Sequence, residues 1–317
     1  MKDERLELYR KMLEARRFEE KVAEIYAAGL IPGLVHPSIG QEAVAVGVCS
    51  ALRREDYILS CHRGHAHSIA KGVPPKFIMA ELLGKETGVC KGVGGSMHST
   101  YLETGVLFST AIVGGNIPIA TGVGLAIKLE GEEKVVSCFF GDGATNTGAF
   151  HEGMNLAALW RLPVLFVCEN NMYAVSTPVR KAVSVEKIVD RSIAYGIHGE
   201  RVDGMDVLAV REAAVRGVKR AREGNGPSFL EMTTYRFKGH GLYDPGTLYR
   251  TKDEINEWMS KCPIGRLKEQ LLKEHTVDEL ELDSMEKELE QTMEDAVRFA
   301  KESAYPSWEG MQRLSHA

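Results

Sequence analysis

The sequence predicts an α/β fold, a parallel sheet covered by helices on both faces, closed by a helical C-terminal tail. Three observations predict it. Residues 135–140 and 164–167 are continuous apolar runs of strand length, the pattern of strands buried on both faces. Strand-like and helix-like segments alternate along the chain, which argues for parallel pairing with helices as crossovers. Finally, no long linker, repeat or low-complexity segment divides the 317 residues, so residues 1–317 read as one domain.

Each element has its own signal. In the first 30 residues Leu6, Tyr9, Met12, Leu13, Phe18, Val22 and Ile25 recur at helical spacing until Gly29 stops the run. A Gly/Pro-rich loop carrying His36 follows, then a second helix to about Leu52. Residues 57–59 form a short strand, with His62, Arg63, His65 and His67 behind it. Residues 84–116 are glycine-rich and too long for a simple linker, since structureless loops above ~15 residues are usually functional or disordered. Residues 119–129 make a helix of small residues. Past the strand at 135–140, Gly141-Asp142-Gly143 makes a tight turn. A helix then runs to Trp160, Pro163 ends it, and the second buried strand runs into Asn170-Asn171. Asp206 suits an N-cap for a helix at 207–222, and residues 228–235 make a strand. His240 sits between Gly239 and Gly241, and residues 252–317 are a helical tail broken at Pro263.

Composition narrows the function. Hydrophobic residues at 44% and charged residues at 26% are ordinary for a globular protein. The net charge of −5 does not invite nucleic acid. Six cysteines form no CxxC pair, the usage of a reducing compartment. With no apolar leader and no apolar run of ~18 residues, a cytoplasmic protein that does not enter a membrane is expected.

The chemistry concentrates where the two buried strands end. Ligands of a parallel sheet bind outside the carboxyl ends of its strands. Asp142 and Asn171 fall just past successive strands, with 26 residues from Ala144 to Glu169 between the two motifs. A carboxylate, a side-chain amide and a nearby carbonyl make an all-oxygen set suited to Mg²⁺, which takes phosphate oxygens for its remaining positions. Cys61, His62, His65 and His67 could suggest a transition-metal site, but three histidines within six residues of one loop cannot easily converge. Arg63 reads better as an anion clamp. A histidine in a Gly/Pro loop, such as His36, reads on spacing alone as solvated.

GDG followed by NN at this interval resembles the thiamine diphosphate motif. The whole run GDGATNTGAFHEGMNLAALWRLPVLFVCENNMYAVSTP resembles the alpha subunit of the thiamine diphosphate-dependent dehydrogenases that open the pyruvate, branched-chain 2-oxo acid and acetoin dehydrogenase complexes. The resemblance extends from about Leu8 to the DPG at 244–246, and more weakly beyond. It implies the diphosphate-binding half of a thiamine diphosphate-binding fold. Asp142, Asn171 and the Tyr173 carbonyl would hold Mg²⁺, with Gly143 and Ala144 along the diphosphate. Arg63 would contact the diphosphate, and His62 stands where relatives often have tyrosine. Ala111 and Val113 would lie near the aminopyrimidine. His36 and His240 would face the substrate and the acyl-accepting lipoyl arm.

The carboxylate that activates the aminopyrimidine belongs, in this class, to a pyrimidine-binding domain that the chain lacks. The resemblance therefore implies a beta subunit, an α₂β₂ assembly and a lipoyl-bearing acyltransferase component. The expected substrate is pyruvate or a related 2-oxo acid, or acetoin, and the HRGHAH wording is more similar to the acetoin branch. A transketolase-like carboligase subunit, or a non-catalytic nucleotide-binding module using GDG as a phosphate loop, are the alternatives. Mammalian relatives are switched off by phosphorylation of serines just after the active-site histidine. Residues 241–250 contain no serine, and Thr247 alone could serve a Ser/Thr kinase there.

Overall fold

The computed structural model describes residues 4–315. Helices α1 (Glu4–Ala27) and α2 (Glu42–Ser50) precede strand β1 (Tyr57–Ser60), and α3 (Gly64–Ala70) and α4 (Pro75–Leu82) follow it. The glycine-rich stretch holds two short 3₁₀ turns and strand β2 (Val106–Ser109). Then come α5 (Asn116–Glu130), β3 (Val136–Gly141), α6 (Gly148–Leu159) and β4 (Val164–Asn170). A small hairpin, β5 (Tyr173–Ala174) with β6 (Thr177–Pro178), leads into α7 (Val179–Ala182). The last α/β unit is β7 (His198–Asp203), α8 (Val207–Arg222) and β8 (Ser228–Thr233). The tail is α9 (Lys252–Met259), α10 (Pro263–Lys273), α11 (Glu279–Glu302) and α12 (Trp308–Ser315).

Six strands form one parallel sheet in the order β2-β1-β3-β4-β8-β7. Its two faces feed two cores. Phe139, Leu165, Val167 and Leu230 pack with α1, α2, α3, α4 and α8, while Cys138, Phe140, Phe166 and Phe229 pack with α5 and α6. Alternate residues of β3 and β4 thus enter opposite cores, which is why both strands read as unbroken apolar runs.

Local chemistry sets the boundaries. The Thr147 side chain accepts the Phe150 N–H and starts α6, and Asp206 accepts from Leu208 and Ala209 to start α8. Pro263 breaks the tail as expected and opens α10, where a missing N–H leaves no bond unmade. In α11 Leu282, Met285, Leu289, Met293 and Ala296 are buried along one stripe.

Several expectations need adjusting. The small-residue helix starts at Asn116, because the Asn116 amide donates to the Phe139 carbonyl at 2.7 Å and ties the helix to β3. The strand expected at 228–235 ends at Thr233, where the chain turns toward Arg236. Two strands of the main sheet had no legible signal. β2 is a four-residue edge strand inside the glycine-rich stretch, and β7 is a charged edge strand, His-Gly-Glu-Arg-Val-Asp.

Candidate active site

Because the sheet is parallel, the chain leaves β1, β3, β4 and β8 at one edge, and each exit delivers side chains to the same place. A cavity of about 100 Å³ opens there. It is lined by His62 and Arg63 from β1, Asp142, Gly143 and Ala144 from β3, Asn171 and Tyr173 from β4, and Arg236 and His240 from β8, with Val113 from the loop before α5. Ala111 lies outside this lining, and its neighbours Thr110 and Ile112 take the wall. His36 does not line the cavity but sits against it, its ring centroid 4.9 Å from His62 and 4.8 Å from His240. The solvated reading of His36 fails, since its residue is 5% exposed.

In the turn after β3, position 143 has room for glycine only. A Cβ at Gly143 would stand 2.7 Å from that of Ala174 on the hairpin. The turn after β4 repeats one arrangement twice. Asn170 Oδ1 accepts the Met172 N–H at 3.2 Å, and Asn171 Oδ1 accepts the Tyr173 N–H at 3.4 Å. The Asn170 amide donates to Glu231 Oε1 at 2.7 Å and the Asn171 amide to Gln41 Oε1 at 2.9 Å. Met172 and Val175 take positive φ, 72° and 54°, uncommon for any side chain and more so for a β-branched one. Val175 holds that conformation at the cavity wall, its carbonyl accepting from Arg236 Nη2 at 2.8 Å.

Electrostatics define what the groups can do. Burial pushes the Asp142 carboxyl up to about 6, although Arg236 and Arg63 pull it the other way. Such a carboxylate gains most from a cation. Arg63 is committed to its own chain: it donates to the Pro37 carbonyl at 2.8 Å, the His240 carbonyl at 2.7 Å and His240 Nδ1 at 3.2 Å. Arg236 Nη1 also donates to His240 Nδ1, at 3.1 Å. A guanidinium cannot accept, so Nδ1 carries the lone pair and Nε2 the proton. His240 therefore presents an N–H donor through Nε2. Burial, then the charge of Arg63, lower His240 to about 3, His36 to about 4 and His62 to about 2, so all three are neutral near pH 7. His36 Nδ1 and His62 Nε2 are buried without a hydrogen-bond partner among the described residues.

The other two histidines of the same run go elsewhere. His65 Nδ1 lies 3.1 Å from Glu19 Oε2 and its Nε2 3.0 Å from Ser96 Oγ. His67 Nδ1 lies 2.8 Å from Ser60 Oγ and its Nε2 3.3 Å from Glu169 Oε1. Burial works against the charge of Glu19, but His65 and the two Ser38 donors outweigh it and hold the carboxyl below the usual range. A further buried carboxylate orders the glycine-rich stretch: Glu81 accepts the backbone N–H groups of Cys90, Gly92, Gly94 and Gly95 at 2.7–3.0 Å.

Sequence reasoning missed Arg236, Gln41, Glu19 and Glu81. Arg236, 1% exposed, had a signal: a lone basic residue between the aromatics Tyr235 and Phe237 at a strand end. The others act across more than a dozen residues or through backbone amides, which leaves no local pattern.

A match to the family described as "Dehydrogenase E1 component" covers residues 10–309. The chain belongs to the dehydrogenase E1 component family. The chain is 50% identical over 300 residues to the alpha subunit of acetoin:2,6-dichlorophenolindophenol oxidoreductase of Bacillus subtilis (strain 168), covering 94% of this chain and 89% of the relative. It is 42% identical to the pyruvate dehydrogenase E1 component subunit alpha of Porphyra purpurea, covering 98% and 92%. The counterpart in Rhizobium meliloti (strain 1021) is also 42% identical, covering 96% and 88%. This E1 chain is thus an oxidoreductase subunit of alpha type, its fold class is as expected, and thiamine diphosphate is the cofactor its family uses. An alpha subunit implies a beta subunit. No helix among the described residues is long and apolar enough to cross a membrane.

Proposed function

We propose that this E1 chain is the alpha subunit of an α₂β₂ thiamine diphosphate enzyme that cleaves acetoin or decarboxylates a 2-oxo acid oxidatively and passes the acyl group to a lipoyl-bearing acyltransferase. The observation that carries this reading is the pairing of Asp142 and Asn171 past adjacent parallel strands, in one cavity with Gly143, Arg63 and His240. The donor set fits the group. Carboxylate, amide oxygen and the Tyr173 carbonyl are hard oxygen ligands suited to Mg²⁺, and a cation would offset the burial that disfavours the Asp142 charge. Gly143 and Ala144 would lie along the diphosphate, Arg63 and Arg236 would balance its charge, and Val113 would face the aminopyrimidine.

Bound thiamine diphosphate supplies a carbon nucleophile that adds to a carbonyl and then holds the electron pair. The chain's own residues bind and orient. His240 Nε2–H would donate to a substrate or cofactor oxygen in the cavity, and its Nδ1 takes no proton while two guanidiniums point at it. His36 and His62, neutral and partly unpaired, offer further polar sites to a small substrate. The cavity of about 100 Å³ is smaller than the roughly 300 Å³ and more of ordinary small-molecule sites. Its rim residues Ile112, Val113 and Val175 are 70%, 58% and 54% exposed. Both features suit a site completed by the beta subunit. One acetoin-type relative is 50% identical, against 36–43% for the pyruvate-type ones, while a second acetoin-type relative is 43% identical, so acetoin is placed first of the two substrates. We read residues 1–317 as one domain acting in the cytoplasm.

The test is co-expression with the beta subunit and assay with acetoin, pyruvate and branched-chain 2-oxo acids against an artificial electron acceptor. Turnover of at least one is expected with both chains present and none with the alpha chain alone. Binding of ATP in place of thiamine diphosphate, or turnover by the alpha chain by itself, overturns the reading.

A further inference from the structure

Building on the proposed metal site, we infer that Gln41 is a positioning residue, which turns the Asn171 amide so that its oxygen faces the metal. An asparagine can present either oxygen or NH₂, and only the oxygen can ligate a cation. Two contacts decide the matter here. The Tyr173 N–H points at Oδ1 at 3.4 Å, and Gln41 Oε1 accepts from Nδ2 at 2.9 Å. Reversing the Asn171 amide alone would set Nδ2 against the Tyr173 N–H and Oδ1 against Gln41 Oε1, and reversing Gln41 with it would still leave Nδ2 against the Tyr173 N–H.

Gln41 is itself held in place. Its N–H donates to the Ser38 carbonyl at 2.9 Å, and it directly precedes α2. The neighbouring Glu42 carboxylate accepts the Gly40 N–H with both oxygens and pairs with Arg16. Gly40 stands at φ 103°, and a Cβ there would come within 2.4 Å of the Tyr235 carbonyl. The loop thus packs closely against the chain that leaves β8, the neighbour of β4 in the sheet. Gln41 is 1% exposed, and its Nε2 has no partner among the described residues. The orientation that satisfies Asn171 is thus kept at the expense of Gln41's own amide hydrogens, which is unexpected of a residue placed for packing alone.

The test uses the complex with its beta subunit and reads Mn²⁺ or Mg²⁺ affinity in the presence of thiamine diphosphate, by electron paramagnetic resonance and calorimetry. Gln41→Met removes the acceptor at similar volume and is expected to weaken the metal about 10- to 100-fold, the usual range for a lost supporting contact. Gln41→Glu keeps an acceptor and is expected to restore affinity. The decisive arm is Asn171→Asp, whose two equivalent oxygens need no orienting. In that background Gln41→Met is expected to change metal affinity by less than about threefold. Equal losses in both backgrounds, or no loss in either, would overturn the inference. Wild-type complex that binds no metal with the cofactor would overturn the proposed site as well, so the two failures can be told apart.

Discussion

Within one six-residue run, His62-Arg63-Gly64-His65-Ala66-His67, two kinds of histidine stand side by side. His65 and His67 each have both ring nitrogens within hydrogen-bond reach of a carboxylate and a hydroxyl, and neither reaches the cavity wall. His62 lines the cavity and leaves Nε2 unpaired in a buried setting. The backbone makes the division: the run leaves β1 with His62 at the sheet edge, then enters α3, which carries the other two into the core. The difference teaches that a buried polar atom with every partner in place belongs to the fold, whereas one left unpaired at a cavity wall is free to meet a ligand.

The sharpest way to break this comparison is at the Asp142 end of the cavity. Asp142→Ala is expected to abolish Mg²⁺-dependent thiamine diphosphate binding, a loss of at least about 100-fold, while the urea midpoint stays the same or rises. The substitution removes a carboxylate that burial already disfavours. Calorimetry and urea titration check the two halves, and retained affinity with unchanged Mg²⁺ dependence would refute the ligand assignment.

Next comes one substitution made three residues apart. His65→Leu strands the buried Glu19 carboxylate and is expected to destabilise the chain by about 3–5 kcal/mol. His62→Leu removes an atom that had no partner, and stability should move by less than about 1 kcal/mol while cofactor or substrate affinity falls. Equal destabilisation by both would erase the distinction drawn here.

A smaller effect follows from titration. In the unfolded chain the three cavity histidines protonate near pH 6.5, whereas burial and the nearby Arg63 lower them to about 4, 2 and 3 in the fold. Between those limits the unfolded state binds more protons, so stability falls as pH drops below about 6.5. Asp142, raised to about 6, opposes this as one group against three. Thermal melts of the cofactor-free chain from pH 8 to 5 should show the midpoint falling, less steeply in His62→Leu. The smallest effect is expected at the loop after His240. Thr247 is exposed, so Thr247→Glu should leave turnover within about twofold, and phosphopeptide mapping should find no phosphate there that tracks activity.

How much of this was legible follows the same division. β3, β4 and the polar residues at their ends could be read because buried parallel strands leave unbroken apolar runs and their exits are marked by GDG and NN. β7 could not, since an edge strand with one buried residue in six carries no hydrophobic pattern. His65 was visible as a histidine, but its partner Glu19 lies 46 residues away on α1, and nothing in α1 sets that glutamate apart from its neighbours. Arg63 was read as an anion clamp, yet three of its hydrogen bonds go to its own chain. Periodicity reports burial, and it does not report pairing between distant polar groups.

The Glu81 carboxylate has a consequence for how the glycine-rich segment breathes. The amides of Cys90, Gly92, Gly94 and Gly95 all end on its two oxygens, and Glu81 is 1% exposed. Four amide protons held by one side chain can be released to solvent by a single event, its withdrawal. In deuterium they should exchange as a block, with one shared protection factor, although they span six residues with no helix or strand between them.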